Sequence, residues 1–415
     1  MKPQISVATA VQLDLFNSVL AVYADKPELS NADLYKELVA AGALTDAALA
    51  TRKPIGLKGE LHSPERRKVR WYQQTLKKAG LLERVSGSRG VWRAAAGITK
   101  DSELTPAPAG VALVAFSTKL GLAIWGDCRK VFSALNEPIH LCLTSPPYCL
   151  AQPRAYGNPS QVEYVDFICE AMEPIVRNLV PGGSICINVS NDIFVAGSPA
   201  RSLYRERLVL ALHDRLGLHK MEELIWLNPS KAPGPIAWAS KKRVQLNVGY
   251  EPIYWLTNDP SCVRSDNRRV LQPHSEKHLK LIAAGGETRN ATFGDGANKV
   301  RAGSFGNATA GKIPRNVIQA GHRCSRQTPA RDAARRAGLP VHGAAMPFAV
   351  ADFLVKFLTE PGNLVVEPFA GYFTTPEAAE ENGCRWLATD IHHEYPYAGS
   401  FRFAQRDGFS RSLAL

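Results

Sequence analysis

The stretch IHLCLTSPPY, residues 139–148, is an apolar run that ends on two consecutive prolines. The prolines remove two N–H donors and fix the backbone, so a strand through Ile139–Leu143 must stop beside them. Carbonyl oxygens are then left pointing rigidly outward at Pro146 and Pro147, next to the Ser145 hydroxyl and the Tyr148 ring. A planar ring bearing an amine can stack on Tyr148 while its NH₂ donates to Ser145 and to the Pro146 carbonyl. Donating both hydrogens keeps the nitrogen lone pair out of the ring and leaves it nucleophilic. Taken alone, Ser-Pro-Pro-Tyr reads as no more than a turn.

Around this stretch, strand-like runs and helical segments alternate. LGLAIW, SICINV (184–189), ELIWL (223–227), EPIYWL (251–256), LVVE (364–367) and RWLAT (385–389) read as strands. Helical segments are YVDFICEAMEPIVRNL, RERLVLALHDRLG, PFAVADFLVKFLT and PEAAEEN. Continuous apolar strands interleaved with helices imply an α/β fold, a doubly wound and mostly parallel sheet covered on both faces. Ligands of such sheets bind beyond the carboxyl ends of the strands. The run Glu367-Pro368-Phe369-Ala370-Gly371-Tyr372-Phe373-Thr374-Thr375 follows one such strand, and Asp390 ends the next strand 19 residues after Gly371. A turn at a strand end with an acid about 20 residues on suits a nucleoside, the acid taking ribose hydroxyls, although the spacing of a dinucleotide fingerprint is absent.

At 415 residues the chain is long enough for two or three domains. Residues 1–97 form a separate winged-helix-like α+β unit, with helices near Val11–Tyr23, after Ser30-Asn31 and after Ser63-Pro64, then a hairpin around Gly87–Gly90. Its third helix carries Arg66, Arg67, Lys68, Arg70, Lys77 and Lys78, and the hairpin carries Arg89, an arrangement suited to phosphates in a DNA groove. A polar linker with two prolines spans 98–110, and the α/β unit spans 111–415. Within it, residues 258–340 have few apolar runs and hold 15 basic against six acidic residues, among them Arg268, Arg269, Arg315 and Arg323. Such a segment is expected to order on a polyanion. The whole chain carries +12, and residues 1–97 and 258–340 contribute +6 and +9, leaving the remainder slightly acidic. A polyanionic partner, with nucleic acid ahead of a membrane, is the expectation. Neither a signal peptide nor an apolar run of membrane-spanning length is found, and the eight scattered cysteines read as reduced thiols of a cytoplasmic protein with no metal site.

Over about residues 120–395 the chain resembles the amino-group DNA methyltransferases that use S-adenosylmethionine. TSPPY looks like their catalytic motif, and EPFAGYFTT like their cofactor motif, usually D-P-F-x-G-x-G-T-T. WGDC (125–128), LVPGGSICINVSND, LIWLNPSKAP, VGYEPIYWLT, RNVIQAGH and HGAAMPFAVADFLVKFLTEPG (342–362) resemble further family segments, in the permuted order that places the catalytic motif first. The resemblance implies a Rossmann-like methyltransferase fold acting on a base flipped from double-stranded DNA, with Ser145, Pro146, Pro147 and Tyr148 at the amine. It also implies a cofactor site of Glu367, Phe369, Gly371, Asp390 and Asp127, target recognition within 258–340, and a possible companion restriction endonuclease. Ser at the first position goes with cytosine N4; adenine N6 is the alternative. Phe373 stands where the family has glycine, which keeps a third reading open, a DNA-binding regulator on a decayed methyltransferase. Cys149 follows the motif directly but reads as structural.

Overall fold

A computed structural model describes residues 15–412 except 16–17, 20–21, 24–25, 27, 56–59, 79–81, 86, 95–103, 150–159, 322–324 and 341–344. The catalytic-type unit is built on one ten-stranded sheet. Its strands are β1 (Ala112–Ser117), β2 (Gly121–Gly126), β3 (Ile139–Thr144), β4 (Leu179–Asn188), β5 (His219–Leu227), β6 (Tyr250–Thr257), β7 (Val317–Gln319), β8 (Leu364–Glu367), β9 (Arg385–Asp390) and β10 (Ser410–Arg411). Their spatial order is β7-β5-β6-β4-β3-β8-β9-β2-β1-β10. The five central strands β4-β3-β8-β9-β2 are mutually parallel. β6 and β1 run antiparallel to their inner neighbours, so mixed flanks border the parallel centre of the expected mostly parallel sheet.

Side-chain alternation along the strands explains why both faces are covered. Leu141, Leu143, Cys186, Val365, Trp386 and Ala388 point to one face, against Val350, Ala351 and Leu354 of α6 (Phe348–Leu358). Cys142, Ile185, Ile187, Val366 and Leu387 point to the other, against α2 (Tyr164–Arg177) and α3 (Tyr204–Leu216). The remaining labelled helices are α1 (Cys128–Ser133), α4 (Glu276–Ala283), α5 (Thr328–Arg336), α7 (Thr374–Glu381) and α8 (Glu394–Ser400). Gly121 is fixed by packing, because a Cβ there would lie 2.1 Å from the Trp386 ring.

The segment 258–340 carries more regular structure than its sequence suggested. It contains α4, a small hairpin (Ala291–Phe293 with Asn298–Val300), β7 and α5. β7 pairs in parallel with β5, and Ala330 and Ala334 of α5 share a cluster with Ala398 of α8, so from Val317 the chain is back on the sheet. The polar linker also has fixed contacts. Thr105 N–H donates to the Glu394 carboxylate and Ala107 N–H to the Ile391 carbonyl; Pro106 bridges to His392.

In the N-terminal unit, the strand Glu28–Ser30 leads into the helix Asn31–Ala40, whose Ser30 N-cap accepts from Asp33 N–H. A short helix, Asp46–Ala50, and a hairpin, Lys53–Ile55 with Glu60–His62, precede the long helix Pro64–Lys78. Strands Leu82–Arg84 and Val91–Ala94 complete a three-stranded antiparallel sheet with Val91–Ala94 in the middle. Most of the expected helix over Val11–Tyr23 lies outside the described residues, but Leu15, Val19 and Tyr23 are helical and buried, and Gln73 donates to the Tyr23 hydroxyl at 2.8 Å.

Phe373 sits in the left-handed region, with φ of 58°. Its ring is fully buried and turned into the core, 5.2 Å from the Phe116 ring, with Trp386 and Phe403 packed against the same Phe116. A Cβ on Gly399 would lie 2.6 Å from it. The left-handed backbone costs a non-glycine residue about 1–2 kcal/mol, and burying the ring returns about 1.5–3 kcal/mol. Replacing a buried Phe with a small residue costs about 3–5 kcal/mol, so Phe373→Gly, which relieves the strain, is expected to destabilise by about 2–4 kcal/mol in chemical denaturation. A variant as stable as the parent would show that the ring's packing does no more than offset the backbone strain.

Candidate active site

Winding outward from the middle of the sheet creates the site. From β3 the chain crosses to β4 on one side, whereas from β8 it crosses to β9 on the other, so the loops after β3 and β8 part and leave a crevice at the carboxyl edge. The crevice is a cavity of about 470 Å³. Ser145, Pro146, Pro147 and Tyr148 after β3, Glu367, Phe369 and Gly371 after β8, Asp390 at the end of β9, and Asp127 after β2 all line it. Two loops more than 220 residues apart in sequence thus face one space.

The half containing β8 and β9 is a cradle of fixed backbone. Gly371 N–H donates to Asp390 Oδ2 at 2.8 Å and His392 N–H to Asp390 Oδ1 at 2.9 Å, so this carboxylate shapes the turn while facing the cavity. Thr389 Oγ1 donates to the Pro368 carbonyl. Glu367 is buried; desolvation pushes its carboxyl well above the usual range, and its Oε2 has no hydrogen-bond partner among the described residues. The Phe167 and Phe369 rings meet at 5.5 Å and add an apolar wall. Asp127 caps α1 through Arg129 N–H and is paired to the Arg129 guanidinium, which holds it below the ordinary carboxylate range despite partial burial. Phe373 does not line the cavity. Ala345 and Met346 represent the helix-leading segment there, since 341–344 lie outside the described residues.

The half after β3 is held by side chains that the motif reading missed. Tyr148 OH lies 2.8 Å from Asn188 Oδ1 and 3.1 Å from Glu251 Oε2, two acceptors for its one proton, and Ser145 Oγ lies 3.0 Å from the Tyr148 oxygen. Asn188 ends β4 and donates from Nδ2 to the Pro252 carbonyl, which turns its Oδ1 toward the two hydroxyls. Glu251 is the second residue of β6, and because β6 is antiparallel its start reaches the same carboxyl edge. Lys231, from the loop after β5, pairs with Glu251 at 3.0 Å. Burial, together with Glu251, pushes the Tyr148 phenol far up, so its proton is firmly held. A glutamate inside the otherwise apolar run YEPIYWL was the available signal for this network. Cys149 is buried, and desolvation pushes its thiol to about 11, consistent with a structural role.

The expected DNA contacts divide. Arg67 and Arg70 are exposed on the long N-terminal helix, Arg70 with its Nε donating to the Tyr35 hydroxyl at 3.3 Å, and Arg89 is exposed on its hairpin. Arg66, by contrast, lies over the Tyr35 ring at 5.1 Å with its Nε buried, and Lys68 is paired with Glu65. Arg268 is exposed but held by both oxygens of Asp266. Arg269 is a strut, bound to the Thr359 carbonyl and to Glu360, which removes it from the expected DNA surface. Arg315 is exposed, and Arg323 lies outside the described residues.

Comparisons with known proteins agree with this geometry. Residues 139–399 match a family model described as DNA methylase, and residues 14–97 match one described as the Mrr N-terminal domain. The type II methyltransferase M.PvuII of Proteus hauseri is 30% identical over 290 residues, 70% of this chain and 85% of the relative. M.BglII of Bacillus subtilis, another type II methyltransferase, is 24% identical over 262 residues, 63% of this chain and 62% of that one. The solved structure titled PvuII DNA methyltransferase (cytosine-N4-specific) superposes with a TM-score of 0.54 at 27% identity, covering 70% of this chain and 88% of its own. With its strand order, its crevice and both motif loops in place, the chain belongs to the N6/N4 DNA methylase family.

Proposed function

We propose that this protein is a site-specific DNA methyltransferase that moves the methyl group of S-adenosylmethionine to N4 of a cytosine flipped out of the double helix. The observation that carries the reading is the single cavity shared by Ser145–Tyr148 and the cradle Glu367–Gly371 with Asp390. The residues fit the methyl donor. Asp390 suits ribose hydroxyls, Phe369 and Phe167 offer an apolar wall, and the unpartnered Glu367 Oε2 is a buried polar atom awaiting a donor. When bound, the donor supplies an electrophilic methyl on a sulfonium.

The chain's own residues do the rest. The target base must leave the stack, because its amine is otherwise out of reach. Tyr148 gives the flipped ring a face to stack on, its own position set by Asn188 and Glu251. Ser145 Oγ and the Pro146 carbonyl accept the two amine hydrogens, holding the nitrogen oriented, and orientation supplies most of the rate. Serine at the first motif position favours cytosine, while the same acceptors would serve adenine N6. Arg67, Arg70, Arg89 and Arg315 grip the phosphates, and the segment from 258 onward reads bases. A cytoplasmic enzyme of this kind works beside an endonuclease of matching specificity.

Sequencing DNA from expressing cells for modified bases, by position and chemistry, tests the assignment; methyl groups on adenine would move it to N6. Ser145→Ala and Tyr148→Ala are expected to abolish methylation while S-adenosylmethionine still binds, and full activity in both would sink the site. Asp390→Ala should weaken methyl-donor binding about 10- to 100-fold by calorimetry, the worth of a charged hydrogen bond; an unchanged dissociation constant removes Asp390 from the site. Arg67→Ala and Arg70→Ala should each lower the slope of log affinity against log salt by about 1 for duplex DNA. Arg66→Ala should instead lower the melting temperature, and the reverse pattern would refute this division of the helix.

A further inference from the structure

Methylating an amine leaves one proton to dispose of. The nitrogen forms an N–C bond as the methyl–sulfur bond breaks, and it must then give up one N–H bond. On the cradle side, Asp390 is taken up by the Gly371 and His392 N–H groups and Asp127 by Arg129. Behind Ser145, however, a line of hydroxyls runs away from the cavity: Ser145 Oγ to Tyr148 OH at 3.0 Å, Tyr148 OH to Glu251 Oε2 at 3.1 Å, and Glu251 Oε1 to Lys231 Nζ at 3.0 Å.

We propose that Glu251 is the terminal proton acceptor of methyl transfer, reached from the target amine through Ser145 and Tyr148. The amine proton passes to Ser145 Oγ as the Ser145 proton passes to the Tyr148 oxygen and the Tyr148 proton to Glu251 Oε2. Each hydroxyl gains one O–H bond and loses one, so both end unchanged. Glu251 alone becomes protonated, and the positive charge that arrives with the methyl group ends by neutralising its carboxylate. Asn188 Oδ1 touches both hydroxyls, but an amide oxygen is too weak a base to keep a proton. It aligns the chain instead.

Three features of the structure support the assignment. A carboxylate only 8% exposed needs a counter-charge and hydrogen bonds, and Lys231 with Tyr148 supplies them. The Tyr148 phenol holds its proton too tightly to act as a base by itself, so it can serve only as a conductor with an acceptor behind it. The Lys231–Glu251 pair retains some side-chain exposure, 18% and 11%, which gives the proton a way out to solvent after each turnover.

The proposal rests on Ser145 facing the amine, and its test separates the two. Single-turnover methylation would be followed with tritiated S-adenosylmethionine and unmethylated genomic DNA, alongside KM for DNA and the dissociation constant of the methyl donor. Tyr148→Phe keeps the stacking ring and breaks the chain, whereas Glu251→Gln keeps an acceptor for Tyr148 but cannot accept the proton. Each is expected to slow the chemical step about 100-fold, within the range of general acid–base catalysis, with KM and donor affinity within about threefold of the parent. The double variant should be no slower than the slower single one, and Glu251→Asp should recover part of the rate. Either single variant retaining more than half the rate, losses that multiply, or a rise in KM with the rate unchanged would overturn the relay. If Glu251→Gln fails to fold, Tyr148→Phe decides the matter alone. Methyl groups found on adenine overturn the cytosine assignment but leave this comparison valid, and a parent enzyme that transfers no methyl group overturns both.

Discussion

The parallel pairing of β3 with β8, seen at Leu141 with Val365 and Cys142 with Val366, is the constraint on which the rest of the site depends. These strands come from opposite ends of the unit, yet they lie side by side at the point where the winding of the sheet reverses direction. A one-residue slip in their register would send Val365 to the face lined by α2 and α3 and Val366 to the face lined by α6, mismatching both cores at once. Because the cores forbid the slip, the distance between the amine-facing loop and the cofactor-type loop is set by sheet geometry. Catalysis by orientation requires that kind of rigidity, and here it comes from packing rather than from contacts between the loops.

Electrostatics are arranged on the same plan. The excess positive charge sits in the N-terminal unit and in the segment inserted after β6, leaving the sheet unit slightly acidic. Other arginines, two in the sheet unit and one in the inserted segment, are tied down. Arg402 is bound to Glu377 and to the Thr374 hydroxyl, Arg326 to Glu377 and Glu381, and Arg406 to Glu381. These pairs brace α7 directly behind the cofactor-type turn, and Arg402 is almost wholly buried, where an unpaired charge would be costly. Basic residues in this protein thus have two distinct uses, and only exposure and partners in three dimensions tell them apart. Arg66 and Arg269 look like DNA ligands in the sequence, and in the fold one lies over the Tyr35 ring and the other is bound to Glu360.

Much of the fold was legible because strong local signals coincide with it. The double proline after IHLCLT, the acid at the end of RWLATD and the Ser30 cap each state a backbone geometry that the structure reproduces. Less was legible where the meaning depends on a neighbour. β1 and β10 are short or irregular strands at one edge, with a bulge between Val114 and Phe116, and no period-two run announces them. Asn188, Lys231 and Glu251 lie in family-like segments that assign them no role; Asn188 and Glu251 meet at Tyr148, with Lys231 behind Glu251, only because β6 reverses direction beside β4. The inserted segment hid β7 and α5 because a three-residue strand and an alanine–arginine helix offer few apolar residues to read.

Phe373 gives the cofactor-type turn an unusual mechanical character. A glycine in the left-handed position would leave that turn free to breathe by itself. Here the residue that makes the turn is also the lid of an aromatic cluster with Phe116, Trp386 and Phe403, and Gly399 presses against its underside. Loosening the turn therefore requires lifting a ring out of the core, so local opening and unfolding become one event on this wall. Ligand traffic through the crevice is left to its other walls, while the cradle behaves as part of the foundation.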